Sequence, residues 1–445
     1  MPISAEAKSI AIWGAGREGA AALDYVRSHR PDVSVTILND APLSPSALTA
    51  LGERRVLIGA EATAALSAGA FDVVIKSPGV SPYRSEVEEA KRRGVDFTSV
   101  TNLWFEENPN ATTIAVTGTK GKTTTSGLIH HMLRGAGLDT SLVGNGGVPA
   151  LTQKAAHALT VLELSSYQTA DLKHAPTIAV ITSLYPEHAP WHGGVERYFS
   201  DKLRLAKLDG KTLLVANGAD ARLRAAFASR PNTLWYNDGE GFRVEEGKLL
   251  KGATAFPHEH FPLKGAHNLS NLAAALTVVA HLGLDPAACV KTLVDFAIPP
   301  HRLSEFTVEG VLCVDDSIST IPEATLAALK TFAERRFCLI LGGEDRGQNY
   351  AELFAYLKSR PPRFLALLPA NGERILRELT PVALPFERQL LENLDAAVEA
   401  CFQRLESGDL LLLSPAAPSY GQFVNFEERG RRFEALCRAK GKDVA

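Results

Sequence analysis

The sequence predicts an α/β protein of three domains, and three observations carry that expectation. Short β-branched or Leu-rich runs alternate with longer amphipathic stretches along the whole chain, the pattern of parallel sheets built from strand-helix-strand units. The 445 residues correspond to about three domains at roughly 150 residues each. Two Gly-rich turns, Gly14–Gly19 and Gly118–Gly121, each follow an apolar run and open a helical stretch, which is where open α/β sheets bind ligands.

The elements follow in order. Ser9–Trp13 reads as a strand, Ala20–Ser28 as a helix and Val33–Leu38 as the next strand. Val73–Ile75 is a further strand that runs into Ser77-Pro78-Gly79-Val80. The polar stretch Glu106–Asn110 precedes a new strand at Thr113–Thr117, so a boundary is expected near residue 100. The central unit continues through a helical stretch Thr124–Arg134 and strands at Thr160–Leu164, Ile178–Ser183 and Thr212–Val215. After a helix at His267–Leu282, Pro299-Pro300 interrupts regular structure. Strands at Val311–Val314, Phe337–Leu341, Phe364–Leu368 and Leu410–Leu413 then form a third sheet. The expected domains are 1–101, 102–299 and 300–445, with no internal repeat or low-complexity segment.

Composition narrows the functional class. Hydrophobic residues make up 45% and charged residues 22% of the chain, which excludes disordered and collagen-like classes. The formal net charge of −3 leaves no overall positive field for a nucleic-acid backbone, so any polyanion must be met by local sites. The five Cys show no C-x-x-C spacing and sit mostly in apolar runs, as reduced, buried thiols in a cytoplasmic protein do. No basic leader or long apolar run points to secretion or a membrane span.

The strongest motif is Thr117-Gly118-Thr119-Lys120-Gly121-Lys122-Thr123-Thr124. Its glycines let backbone N–H groups turn onto phosphates, the helix N-terminus adds its positive dipole end, Lys122 reaches the terminal phosphates and Thr123 can hold Mg²⁺. Val116 stands where the strict form has its first Gly, so the cradle is of a shorter type. Gly14-Ala15-Gly16-Arg17-Glu18-Gly19, with Asp40 about 20 residues on, fits nucleotide-phosphate binding, a nicotinamide cofactor, or mere tight strand-helix packing. Glu163, at the end of an apolar strand, is either a Mg²⁺ ligand completing the set begun by Thr123 or an ordinary strand-end acid. His188 and His192 stand four apart, but neighbouring Pro residues break the helix that would align them on zinc, and no further ligand completes a set. His258-Glu259-His260 reads as a solvated loop. Asn268 and Asn271 could cap a helix or line a pocket, and Arg302 after the Pro pair offers a bidentate phosphate binder. By composition and spacing alone, Lys202 reads as a solvated helix lysine.

Together and in this order, these segments resemble the Mur ligase family, ATP-dependent amide-bond-forming enzymes of peptidoglycan precursor synthesis. The resemblance runs through Gly118–Thr124, Gly144-Asn145-Gly146-Gly147, Glu163–Gln168, Glu187-His188, Tyr198–Lys202, His267–Asn271, His301-Arg302, Asp316-Ser317, Leu341-Gly342-Gly343, Ser414-Pro415-Ala416 and Asn425–Gly430. Within the family it is similar to members that add glutamate to UDP-N-acetylmuramoyl-L-alanine. The resemblance implies a Rossmann-like N-terminal domain for the uridine diphosphate, a central P-loop ATPase domain, and a Rossmann-like C-terminal domain that closes over the nucleotide and brings the amino acid. It implies that Gly118, Thr119, Lys120, Gly121, Lys122, Thr123 and Thr124 hold ATP, with Asn268, Asn271, Arg302 and Asp316 around its adenine, phosphates and ribose. It implies metal positions at Thr123, Glu163, His188 and Lys202, the last a lysine that family members carbamylate, and catalytic roles for Lys122, His188 and Lys202. Substrate contacts are expected at Gly14, Gly16, Arg17, Asp40, Ser77, Gly79, Asn145, Ser166, Gln168, Thr320, Arg346, Ser419 and Phe426. A folylpolyglutamate synthase shares the ATPase logic but does not account for the first 100 residues. A nicotinamide oxidoreductase would leave Gly118–Thr123 unexplained, and a nucleotide sensor without turnover is the non-enzyme alternative.

The amino-acid region departs from the usual D-glutamate-adding pattern. Asp315-Asp316-Ser317-Ile318-Ser319-Thr320-Ile321 replaces a lysine by Ile318, Ala417-Pro418 replaces Cys-Ala, and Arg346 stands where a lysine is usual. Arg and Lys are not interchangeable at a carboxylate. With Gly16-Arg17-Glu18-Gly19 and Tyr185-Pro186-Glu187-His188, these departures look like the branch that adds L-glutamate and relies on a separate epimerase. L-Glutamate is the expected substrate, with D-glutamate the alternative.

Overall fold

The computed structural model describes residues 3–52, 54–145, 148–153, 159–380 and 384–441. Gly146 and Gly147, named above, lie outside the described residues. The chain divides into two compact units, one holding residues up to Phe261 together with Ser270–Phe296, the other Pro262–Leu269 and everything from Ala297 onward.

The first unit carries two parallel sheets. Strands β1 (Ser9–Trp13), β2 (Ser34–Asn39), β3 (Arg55–Ile58), β4 (Val73–Lys76) and β5 (Asp96–Thr98) order as β3-β2-β1-β4-β5. Apolar runs such as Ile10-Ala11-Ile12-Trp13 are buried throughout, as strands covered on both faces require. Chain order reverses between β1 and β4, which opens a crevice at their C-terminal ends. There Gly14, at φ +102°, brings its backbone against Ser77, whose hydroxyl donates to the Gly14 carbonyl at 3.3 Å. A Cβ on Gly14 would strike the Ser77 side chain.

Strands β6 (Thr112–Thr117), β7 (Thr140–Gly144), β8 (Leu159–Glu163), β9 (Ile178–Ile181), β10 (Leu213–Asn217) and β11 (Thr233–Tyr236) form the second sheet, ordered β11-β10-β9-β6-β8-β7. Here β6 lies between β8 and β9, so the loops leaving these three strands share one edge. A small antiparallel sheet follows, with β12 (Phe242–Glu245), β13 (Lys248–Lys251) and β14 (Thr254–Ala255) in sequence. Buried Leu162, Leu164, Ile181, Tyr198, Phe199 and Leu205 pack one core beneath the loop-bearing edge.

The second unit contains β15 (Ser304–Val308), β16 (Val311–Asp315), β17 (Phe337–Gly342), β18 (Phe364–Leu368), β19 (Glu387–Leu390) and β20 (Leu410–Leu413) in the order β15-β16-β20-β17-β18-β19. Only β15 runs antiparallel to its neighbour. All five Cys are free and buried. Among the described residues no helix is long and apolar enough to cross a membrane. The sheets bear out the α/β class; the three-domain division at 101 and 299 stands as an expectation beside the two compact units.

Candidate active site

The loop after β6 is built as a cradle. Gly118 at φ +146° and Gly121 at φ +87° adopt backbone that L side chains resist, and Gly121 caps the helix Lys122–Gly135. The tight approach has a cause: Thr182, just past β9, donates its hydroxyl to the Lys120 carbonyl at 2.5 Å and lies where a Gly118 Cβ would project. Lys122 stays within the loop and donates to the carbonyls of Gly118 and Thr119, both at 3.0 Å. Thr124 is buried and Thr123 half-buried at the helix start, so only the latter hydroxyl is open to a ligand. Lys120 pairs with Glu187 at 3.2 Å. Burial alone would raise the Glu187 carboxyl, but Lys120, His188 and Lys122 outweigh it and hold Glu187 down at about 2.

Lys202 sits on the helix Val195–Lys207, with 2% of its surface exposed. This corrects the reading of a solvated lysine: its spacing of four from Tyr198 and three from Leu205 turns it into the apolar face. Its Nζ donates to the Gly118 carbonyl at 2.7 Å and lies 5.0 Å from the Tyr198 ring centre. Burial and the Lys122 cation push its pKa well below the ordinary lysine range, against the opposing pull of Glu187 and Glu163. A lysine so placed is readily neutral, the form in which its nitrogen is a nucleophile.

Glu163 closes β8 and is buried; its Oε1 accepts from Asn145 Nδ2 at 2.9 Å. Ser165 caps the one-turn helix Ser166–Thr169 in a capping box with Gln168. Because Gln168 Oε1 accepts from Ser165, its amide nitrogen is turned to Glu18 Oε1, at 3.1 Å. Ser166 is buried, while Ser165 is the half-exposed hydroxyl of the pair. His188, at φ +54°, is hydrogen-bonded through Nδ1 to Tyr167 at 2.9 Å. Pro190 does not abolish a helix here but stands in the first turn of a short one, Ala189–His192, where a missing N–H costs nothing. His192 turns away to Asp201, and no cluster of three or more His, Cys, Asp or Glu fit for a metal occurs among the described residues.

Around the first sheet, Gly16 caps the helix Arg17–His29 and Arg17 is exposed at its start. Asp40, one residue past β2, accepts from the Trp13 indole at 3.2 Å and pairs with Arg84 at 2.6 Å. The Gly79 carbonyl accepts from the Trp191 indole at 2.8 Å. Asn271 lies close under Gly121 and its Oδ1 accepts from Thr125 at 3.3 Å.

Residues 116–279 match the Mur ligase middle domain. A UDP-N-acetylmuramoyl-L-alanine--L-glutamate ligase of Xanthomonas oryzae pv. oryzae is 38% identical over 97% of this chain and 95% of its own. Enzymes of the same name from Xylella fastidiosa and a Micromonospora species are also 38% identical, over 98% and 97% of this chain and 97% and 96% of theirs.

The chain belongs to the Mur ligase family.

The fold agrees: MurF ligase from Thermotoga maritima in complex with ADP gives a TM-score of 0.63 at 16% identity, covering all of this chain and 98% of that one. MurC from the same organism gives 0.61 at 19%, over 98% of this chain and 100% of that one. As a Mur ligase, this protein forms amide bonds at the expense of ATP.

In its second unit, this Mur ligase gathers polar groups at the C-terminal ends of β16, β20 and β17. Asp316 accepts from Ser319 at 2.5 Å and Ser414 at 2.7 Å, and burial pushes it up to about 6. His301 bonds Asp315 at 2.6 Å. Arg302 is half-buried, and its charge, after burial, helps press His267 down to about 4. Asn268 donates to the Lys264 carbonyl at 2.8 Å. Arg346 is exposed and pairs with Glu344 at 2.7 Å, and Gln348 ties the loop to the Thr320 carbonyl at 3.3 Å. Ser419 is buried, and Phe426 meets the His301 ring edge-on.

Sequence reasoning missed the residues that hold these loops. Arg429 is buried and donates to Ser317 Oγ, at 3.0 Å, and to the carbonyls of Ser317 and Ala417, at 2.8 and 3.0 Å. Burial lowers its pKa to about 9. One guanidinium therefore pins the exits of β16 and β20. Its only sequence signal was membership of Asn425–Gly430.

Proposed function

We propose that this Mur ligase joins L-glutamate to the alanyl carboxylate of UDP-N-acetylmuramoyl-L-alanine, a step of peptidoglycan precursor synthesis. The observation that carries this reading is near-full-length similarity, at 38% identity, to enzymes of that name. The altered residues Ile318, Arg346 and Ala417-Pro418 support the L-enantiomer. The D-centre would then come from a separate epimerase, and the reaction would run in the cytoplasm, where ATP and the precursor are available.

The residues suit Mg²⁺. Thr123 and Glu163 offer oxygen donors to a hard cation, and a carbamylated Lys202 would add another; His188 stands at the matching second position. When bound, the metal supplies charge neutralisation to the transferring phosphoryl group. In the proposed reaction the substrate carboxylate attacks the γ-phosphorus of ATP, breaking the β–γ anhydride bond and releasing ADP, to give an acyl phosphate; the neutral amine of glutamate then adds to its carbonyl, and the tetrahedral intermediate loses inorganic phosphate and the amine proton to leave the amide. Gly118–Thr124 would orient the phosphates with backbone N–H groups, and Lys122 would stabilise charge developing on the γ-phosphoryl oxygens. Asn271, Asn268, Arg302 and Asp316 would hold the rest of the nucleotide. Gly14, Gly16, Arg17, Asp40, Ser77 and Gly79 would hold the uridine diphosphate end. Asn145, Ser166 and Gln168 would hold the muramoyl-alanine, and Thr320, Arg346, Ser419 and Phe426 the amino acid.

The test is phosphate release from ATP with Mg²⁺ and UDP-N-acetylmuramoyl-L-alanine, run in parallel with L- and D-glutamate. Turnover with L-glutamate alone is expected. Turnover with D-glutamate alone would assign the protein to the other branch, and no turnover with either would overturn the reading.

A further inference from the structure

A buried chain of side chains runs beneath the candidate site. His192 is fully buried; its Nδ1 lies 2.5 Å from Asp201 Oδ2 and its Nε2 lies 3.0 Å from Ser166 Oγ. Tyr83, from the segment after β4, donates its hydroxyl to the other Asp201 oxygen at 2.5 Å. The ring is stacked on Tyr167, with centroids 5.7 Å apart, and meets Tyr198 edge-on at 5.2 Å. Those two rings carry hydroxyls bonded to His188 and Thr119.

Tyr83 donates to one Asp201 oxygen and His192 Nδ1 meets the other, so the ring is held from that side. Its Nε2 lies against the Ser166 hydroxyl on the far side. The Ser166 hydroxyl is thereby turned inward, and with it the first turn of the helix that follows Glu163 and Ser165. A Ser-His-Asp succession is also that of a nucleophilic triad, but Ser166 is only 2% exposed, which leaves no room for an attack on substrate. Asp201 is next to Lys202, so the helix that pins His192 also carries the lysine under the phosphate loop.

We infer that His192 is a positioning residue of the ligase reaction, locked by Asp201 and Tyr83, which fixes Ser166 and so sets the Glu163–Gln168 turn against the phosphate loop. This rests on the function proposed above. The chain joins the segment Ser77–Tyr83, expected at the uridine substrate, to the turn expected at the alanyl carboxylate. Breaking it displaces reacting groups without removing any of them, and a misplacement of about 1 Å costs about 100-fold in rate.

Two substitutions separate the two ends of the ring. His192→Asn places an amide where Nδ1 was and keeps Asp201 while losing Ser166; His192→Gln reaches the Nε2 position and keeps Ser166. With ATP, UDP-N-acetylmuramoyl-L-alanine and L-glutamate, His192→Asn is expected to lose kcat about 100-fold with KM for ATP within about threefold. His192→Gln should retain kcat to within about tenfold. Equal losses in the Asn and Gln variants, or wild-type rates in both, would overturn the inference. Should the His192 variants not fold, Tyr83→Phe removes only the outer hydroxyl; an unchanged kcat there would equally overturn it, and a loss of about tenfold would support it. An inactive wild-type enzyme would instead indict the proposed function.

Discussion

Lys202 donates its Nζ to the Gly118 carbonyl at 2.7 Å, so the lysine of one helix and the first glycine of the phosphate loop form a single unit. Burial and the Lys122 cation favour the neutral amine, and a neutral amine in contact with carbon dioxide can form a carbamate. We expect the intact protein, measured by mass spectrometry in bicarbonate buffer, to carry one extra carboxylate on Lys202. Lys202→Ala should lower ligase turnover about 10³-fold, and short-chain carboxylates should restore part of it. A fully active Lys202→Ala enzyme would remove the lysine from the reaction.

Gly118 makes a second prediction. Its φ of +146° and the Thr182 hydroxyl together forbid a side chain. Gly118→Ala should cost about 2–5 kcal/mol through backbone strain and overpacking, read as a lower thermal midpoint, and should abolish ATP binding in calorimetry. Adding Thr182→Ala removes the clash but not the strained backbone, so the double variant should recover stability only in part. Full recovery would mean that the left-handed backbone is immaterial.

Asp316 makes the third, through pH. Its carboxyl is raised to about 6 by burial, against the hydrogen bonds of Ser319 and Ser414 and the charge of Arg302. The folded chain therefore holds a proton there that the unfolded chain has released above about pH 4. In that interval the native state binds more protons, so stability falls as pH rises, by about 2–3 kcal/mol between pH 4 and 6, and this contribution is level above that. Denaturant unfolding of Asp316→Asn, compared with wild type across that range, should lack this part of the slope. An identical slope would show that Asp316 ionises normally.

Most of the framework could be read from the sequence because its strands are continuous apolar runs. Ser9–Trp13, Phe364–Leu368 and Leu410–Leu413 have the same limits in both readings. The edge strands Arg55–Ile58 and Glu387–Leu390 could not be read: each is four residues long, the first burying only Leu57 and the second, largely polar, burying none, too short and too exposed for a period to stand out. Helix starts were placed too late, at Ala20 and Thr124 where the chain begins its turns at Arg17 and Lys122, because a glycine N-cap leaves no side-chain signal. The buried face of Lys202 was present in its spacing from Tyr198 and Leu205 but was outweighed by its charge. The contacts of His192 with Asp201 and Ser166 have no such trace: they join three segments, and only the folded sheet edge brings them together.

The last prediction concerns which glutamate enters. Arg346 and Thr320 are held in one piece by Gln348, which accepts from the Arg346 backbone N–H at 3.1 Å and donates to the Thr320 carbonyl. Ile318, two residues before Thr320, is half-buried and contributes no charge there. A dicarboxylic amino acid must place two anions, and a flexible lysine point charge meets them differently from a planar guanidinium. Restoring both lysines, Ile318→Lys with Arg346→Lys, should therefore shift the ratio of kcat/KM for L- over D-glutamate toward the D-enantiomer by at least about tenfold. Phosphate-release kinetics with each enantiomer, at saturating ATP and UDP-N-acetylmuramoyl-L-alanine, measure that ratio directly. A double variant that is slower with both enantiomers but keeps the wild-type ratio would show that chirality is read elsewhere. The loop that Arg429 anchors through Ala417 would then be the next place to look, because Pro418 and Ser419 follow directly from it.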